Sequence, residues 1–334
     1  MKDGNYSEPK TLQEAVLYFS DPDNCLSYMV PLTWPNGVVT CPTCGRTDVK
    51  FLKNQRRWQC KSVHPKRQFS AKVGTIFEDS PIALEKWLPC VWMIVNAKNG
   101  ISSWELHRAL GVTQKTAWFM LHRVRLAMQD PHDVKMGGPD GGTVEVDETF
   151  IGGKARNMHK DKRARLAMNL YSAQLYGGKG KAIVIGMLER GGKVKARVIE
   201  KRWKEYMQGF VRECAEKGTT VMTDEASQYQ GIANEYVHEV INHMEGYVRG
   251  HVSTNGIENF WSLLKRGLNG TYVIVEPFHL FRYLDEQMFR FNNRATRDNP
   301  LNDSDRFAIA LSQIVGKRLT YSELTGKEGV REAF

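Results

Sequence analysis

Two short apolar runs, TVEVDETFI from residue 143 and TTVMTD from residue 219, each carry one aspartate, Asp147 inside the first and Asp224 at the end of the second. Both runs read as β-strands. A third acid, Glu258, falls in NGIENFWSLLKRGL, where Ile257, Phe260, Trp261, Leu264 and Leu268 recur at helical spacing and leave Glu258, Ser262 and Lys265 together on another side. This pattern demands a fold in which a helix lies beside two strands and turns its acid toward the sheet edge. Hard divalent cations prefer oxygen ligands, and two Mg²⁺ or Mn²⁺ held roughly 3.5 to 4 Å apart by such carboxylates serve phosphodiester chemistry. A lone Asp or Glu is usually a surface or capping acid. The three in this context argue otherwise.

The segments KAIVIGMLE and KVKARVIE also read as strands, separated by the glycine turn ERGGK at 189 to 193, and the stretch from Trp203 to Lys217 reads as a helix. Antiparallel strands followed by a helix that crosses over before the last strand give a mixed α/β sheet with flanking helices, in the order of a ribonuclease-H-like fold. Glu145 shares the strand face of Asp147 and could replace it in a shifted register, while Glu148 and Glu225 should point away.

Upstream, Cys41, Cys44, Cys60 and His64 are spaced C-x2-C, fifteen intervening residues, then C-x3-H. Two knuckle turns joined by a hairpin suit a closed, structural Zn²⁺ site, with His64 the ligand that departs from an all-cysteine set. Cys25, Cys90 and Cys214 lack such spacing and are expected in cores as small apolar side chains. Between Arg46 and Lys72 nine basic residues face one acid, Asp48. Arg56, Arg57, Lys66 and Arg67 among them are candidate DNA phosphate contacts, with a merely solvated positive face as the alternative.

From Ile101, two helical patterns are divided at Gly111, the first opened by a Ser102/Glu105 capping box and the second by Thr113. Ala117, Met120, Leu121, Val124 and Met128 should be buried, leaving Gln114, Lys115, Arg123 and Arg125 outward. Read as a helix-turn-helix, the pair would present Gln114, Lys115 and Thr116 to DNA; an ordinary helical hairpin fits the same pattern. A second basic run, Lys154, Arg156, Lys160, Lys162, Arg163 and Arg165, follows Asp147 and could track a DNA backbone.

The expected organisation is an N-terminal helical segment at 1–38, a zinc ribbon at 39–80, the helix-turn-helix region at 81–130, a Gly/Pro/Asp-rich linker at 131–142, the catalytic domain at 143–300 and a C-terminal extension at 301–334. The 334 residues carry 47 Lys and Arg against 37 acids, a formal charge of +10, which favours a polyanionic partner over an acidic small molecule. No apolar run approaches the roughly 20 residues that span a bilayer, and MKDGNYSEPK does not lead into a secretory core. A cytoplasmic, DNA-associated protein with reduced thiols is the expectation.

Taken together, the CPTCG and WQC segments, FSAKVGTIFEDSPIALEKW, GVTQKTAW, VDETFIGGK, TDEASQY, IENFWSLLKRG and FHLFRYLDEQMFRFNNR resemble the bacterial insertion-sequence transposases that join a zinc ribbon to a DDE, ribonuclease-H-like core, the ISXO2-like group. The resemblance implies that Asp147, Asp224 and Glu258 bind the catalytic Mg²⁺ ions, with Lys265 near the scissile DNA. The 33 residues from 225 to 257 are close to the family's usual interval between the second and third acids, although some relatives carry asparagine where this chain has Glu258. It further implies an enzyme that binds double-stranded DNA at its element's terminal repeats, frees 3′ hydroxyls and joins them to target DNA as a homodimer or higher assembly. A ribonuclease-H-like nuclease or resolvase, and a zinc-ribbon regulator with an inactive core, are the alternative readings.

Overall fold

The computed structural model describes residues 9–129, 134–138, 142–153, 160–161, 181–224, 227–241 and 253–326. The chain divides into two compact units, Met1–Gln129 with Asn293–Val330, and Asp130–Asn292 with Arg331–Phe334.

In the first unit, α1 (Leu12–Tyr18) starts at a Thr11/Glu14 capping box and α2 (Pro22–Thr33) at an Asp21 cap followed by Pro22, each satisfying the free N–H groups of a first turn. An antiparallel three-stranded sheet follows, β1 (Val49–Leu52), β2 (Arg57–Cys60) and β3 (Gln68–Phe69), in that order. Trp58 pairs across with Phe51 and Phe69, and the Trp34 ring meets Trp58 edge-on at 5.1 Å, so aromatic contacts stand in for the core that so small a sheet cannot bury.

Helix α3 (Leu84–Asn96) buries Trp87, Leu88, Pro89, Cys90, Val91, Trp92, Ile94 and Val95, which makes it the central helix of the unit. The capping box at Ser102 opens α4 (Ser103–Leu110), Gly111 closes it at φ 60°, and Thr113 caps α5 (Gln114–Ala127), as the sequence pattern requires. Ala117, Met120, Leu121, Val124 and Met128 are buried as expected. Arg123 and Arg125 are not outward: they are 4% and 1% exposed. The Arg123 guanidinium donates to the carbonyls of Leu319 (3.0 Å) and Glu78 (2.7 Å), partners remote in sequence that helical periodicity alone cannot supply.

The second unit holds β4 (Thr143–Ile151), β5 (Ala182–Glu189), β6 (Val194–Ile199), β7 (Thr220–Asp224) and β8 (Val237–Ile241) in one sheet of order β6-β5-β4-β7-β8. β4, β5 and β6 run antiparallel as a meander, and β7 and β8 join parallel to β4. This is the ribonuclease-H-like arrangement expected from the sequence, with β8 as the strand that the pattern did not single out.

Crossover helix α6 (Lys204–Cys214) buries Met207, Phe210 and Val211 with Val144, Val146, Ile183, Ile185 and Met187 on one face of the sheet. The other face packs Val184, Leu188 and Val194 against α7 (Asn255–Gly267) and α8 (Leu280–Asn292). Period-two alternation along β4 therefore sends Glu145 and Asp147 to the α7 face. The chain then returns to the first unit, where α9 (Asp303–Ser312) packs on α3 with the Phe307 ring 5.0 Å from Trp92 and 5.5 Å from Phe19. Phe307→Ala should destabilise that unit by about 3–5 kcal/mol, measured by denaturant unfolding.

Candidate functional site

Cys41, Cys44, Cys60 and His64 present ligand atoms all within 4.8 Å of one another. The thiol of Cys41 lies 3.4 Å from His64 Nε2, and Cys44 Sγ lies 3.5 Å from Cys60 Sγ. Local backbone bonds build the two knuckles: Cys41 N–H donates to Arg46 O at 2.8 Å and Cys60 N–H to Arg67 O at 2.8 Å. Three thiols and an imidazole in a closed set fit structural zinc. Cys25, Cys90 and Cys214 are buried elsewhere, and burial pushes the Cys25 thiol up to about 12, so it stays protonated and inert.

The three acids are placed by β4, β7 and α7. In the parallel pair β4/β7 the ladder ends at Glu145 opposite Met222, and two residues farther along each strand stand Asp147 and Asp224. Burial raises the Asp147 carboxyl to about 7, with the negative charges of Glu148 and Asp224 adding to the shift. The indole N–H of Trp261 on α7 donates to Asp147 Oδ2 at 3.0 Å and opposes it. Glu258 stands one turn earlier on α7, exposed, its carboxylate accepting the Thr254 hydroxyl at 3.1 Å. Lys265 is exposed in the last turn of the same helix. The oxygens of Asp147, Asp224 and Glu258 do not all lie within 4.8 Å of one another as the ribbon ligands do.

Two neighbouring acids have structural partners. Glu145 Oε2 accepts the Ile257 N–H at 3.0 Å, and its other oxygen accepts from Arg190 Nε at 3.1 Å, whose guanidinium also reaches Ser253. Among the described side chains Glu145 thus caps α7, whose own N-cap, Thr254, makes no side-chain cap bond. Glu148, on the opposite strand face as its position implies, pairs with Arg202 and accepts the Tyr229 hydroxyl at 2.9 Å. Burial raises its carboxyl too.

Helix α7 lies close on the sheet because two glycines leave room. A Cβ on Gly186 would fall 2.6 Å from the Trp261 ring, and one on Gly256 2.5 Å from Leu188. The contacts of Trp261 and Glu145 are not foreseen from the sequence: Trp261 reads as part of the apolar stripe, and Glu145, which reads there only as a stand-in for Asp147, has as its partner a backbone amide far along the chain.

Of the candidate DNA contacts, Arg57, Lys66, Lys115 and Lys160 are exposed. Arg56 is ion-paired to Asp23 at 2.6 Å, and Arg67 Nε donates to Cys60 O at 3.3 Å. Gln114 Nε2 donates to Ser103 Oγ at 2.8 Å, and the Thr116 hydroxyl lies 2.8 Å from that of Thr113. Lys154, Arg156, Lys162, Arg163 and Arg165, with Glu225, lie outside the described residues. No helix among the described residues is long and apolar enough to cross a membrane.

Two measurements follow from this geometry. Cys60→Ser should lower the melting temperature of the ribbon and bring its zinc content below that of wild type, read by calorimetry and metal analysis. The ordinary value for Asp147 is 3.8 and its folded value is about 7, so the stability it contributes is present below about pH 4 and lost as pH rises through 7. Metal-free protein should therefore gain stability on acidification from pH 8 to pH 5, and Asp147→Asn should flatten that dependence and raise the melting temperature at pH 8.

Comparison with known proteins agrees with this architecture. Residues 140–292 match the ISXO2-like transposase domain, and residues 20–62 match the transposase zinc-ribbon domain. The chain is 27% identical over 250 residues to an uncharacterized protein in transposable element ISH50 of Halobacterium salinarum, covering 72% of this chain and 81% of that protein. The chain thus joins a transposase zinc-ribbon domain to an ISXO2-like transposase domain, the pairing that its sequence motifs resemble.

Proposed function

We propose that this transposase binds double-stranded DNA at the ends of its element, cleaves it to free 3′ hydroxyls, and joins those hydroxyls to target DNA. The observation that carries the reading is the meeting of Asp147 and Asp224 on adjacent central strands beneath the helix that bears Glu258 and Lys265.

The donor set fits Mg²⁺ or Mn²⁺. It offers hard carboxylate oxygens, and the burial that lifts Asp147, with the negative charges of Glu148 and Asp224 added to it, is what a nearby divalent cation would offset. Asp147, Asp224 and Glu258 would hold two such ions, which when bound supply charge neutralisation at the attacking and leaving oxygens of an in-line displacement. The chain's own residues supply the rest. Trp261 orients the Asp147 carboxylate, the Glu145 cap fixes the start of α7 and with it the position of Glu258, and Lys265 offers positive charge toward the DNA strand. No protein nucleophile is needed, since water and then the DNA hydroxyl attack phosphorus.

The exposed cations Arg57, Lys66, Lys115 and Lys160 are assigned to phosphate contact. Processing two ends together calls for a homodimer or higher assembly on DNA.

Asp147→Asn and Asp224→Asn should each reduce end cleavage by about 10³-fold or more while changing duplex affinity by less than about threefold. Cleavage at the wild-type rate in either variant sinks the assignment. Cleavage without joining of labelled 3′ ends to a target plasmid would make the protein a nuclease rather than a transferase, and binding with neither reaction would leave the regulator.

A further inference from the structure

Beyond α7 the helix does not end in an ordinary cap. It runs into a π-helical turn, Leu268–Tyr272, and the next residue, Val273, sits at φ 64°, ψ −56°. The Ile274 N–H donates to the Tyr272 carbonyl at 2.7 Å, closing a three-residue γ-turn of the positive-φ kind. Such a turn is strained for any L-residue and more so for a β-branched one, so the surrounding structure must enforce it.

It does so on both sides. The Tyr272 hydroxyl donates to the carboxylate of Glu286, which is 0% exposed and ion-paired to Arg290, and the Tyr272 and Tyr283 rings meet edge-on at 4.7 Å. On the far side Val275 packs against the core shared by α7 and α8. What this buried network holds out is apolar: Val273 is 70% exposed and Ile274 80%. Nothing in folding favours two aliphatic side chains raised into water on a strained turn.

Charge indicates what meets them. Lys265 and Arg266 lie exposed in the turn of α7 just before this tip, and Glu276 is the single acid between Lys265 and Leu284. A small aliphatic tip flanked by cations matches a nucleic-acid duplex, in which phosphates meet the cations and an apolar side chain enters a base step. We infer that Val273 and Ile274 form a wedge that inserts between base pairs of bound DNA beside the phosphates held by Lys265 and Arg266, unstacking the duplex near the site of cleavage; the placement near cleavage rests on the function proposed above.

The test uses the full chain and duplexes carrying the sequences that bound its gene, with 2-aminopurine substituted one position at a time. Wild type and Asp147→Asn should both raise the fluorescence several-fold at one or two adjacent positions, because unstacking does not require cleavage. Ile274→Ser should remove more than half of that rise and leave the salt dependence of binding unchanged, whereas Lys265→Ala and Arg266→Ala should each lower the salt slope by about one. Val273→Gly, which adopts the observed backbone without penalty, should melt no lower than wild type.

An unchanged fluorescence rise in Ile274→Ser overturns the wedge. So does a change in oligomeric state without DNA in that variant, by light scattering, since the tip would then be a contact between copies of the chain. A lower melting temperature for Val273→Gly would overturn the premise of strain. Unstacking without cleavage by wild type would defeat the proposed chemistry and spare the wedge; cleavage without unstacking would do the reverse.

Discussion

Helix α7 is fastened to the sheet at two points on one strand. Glu145 takes the amide of Ile257 at the helix start, and Asp147 takes the indole N–H of Trp261 one turn later. These bonds lie two residues apart on β4 and four apart on α7, so they fix both the translation and the rotation of the helix. Everything assigned to the site depends on this attachment. Glu258 sits between the two fastened residues, and Lys265 lies farther along the same helix.

The electrostatics follow from the same arrangement. β4 and β7 run parallel, and their paired register stops at Glu145 and Met222, two residues before the aspartates, which pair instead with β5 and β8 on their outer sides. Buried negative charge accumulates there, with Glu148 contributing from the other face although Arg202 pairs with it. The fold by itself leaves that charge only partly compensated. A cation is the simplest complement, and the reaction proposed for the transposase domain at 140–292 would give that demand a chemical purpose.

Much of this was legible in the sequence because the determinants are local. Zinc-ligand spacing, the capping residues Ser102, Glu105 and Thr113, and the alternation through Asp147 each act over a few positions. What was not legible depends on partners far away. Arg123 looks solvent-facing by helical period, yet it is drawn inside by carbonyls at Glu78 and Leu319. Trp261 reads as one more apolar residue until its indole nitrogen meets Asp147, and Glu145 reads as a spare acid until Ile257 needs an acceptor. For the candidate site, the strand and helix positions of the three acids were readable, but the side chains that contact them were not.

The return of residues 293–326 to the first unit makes the second unit an insertion within the first. On the ribosome, the half that carries the ribbon cannot complete its core around α3 until the whole strand-bearing half has been synthesised, because Phe307 is delivered last. A product broken off within the later helices would keep its acids and lose the packing of its ribbon-bearing half. Completion of the core around α3 is thereby coupled to synthesis of the chain through Phe307.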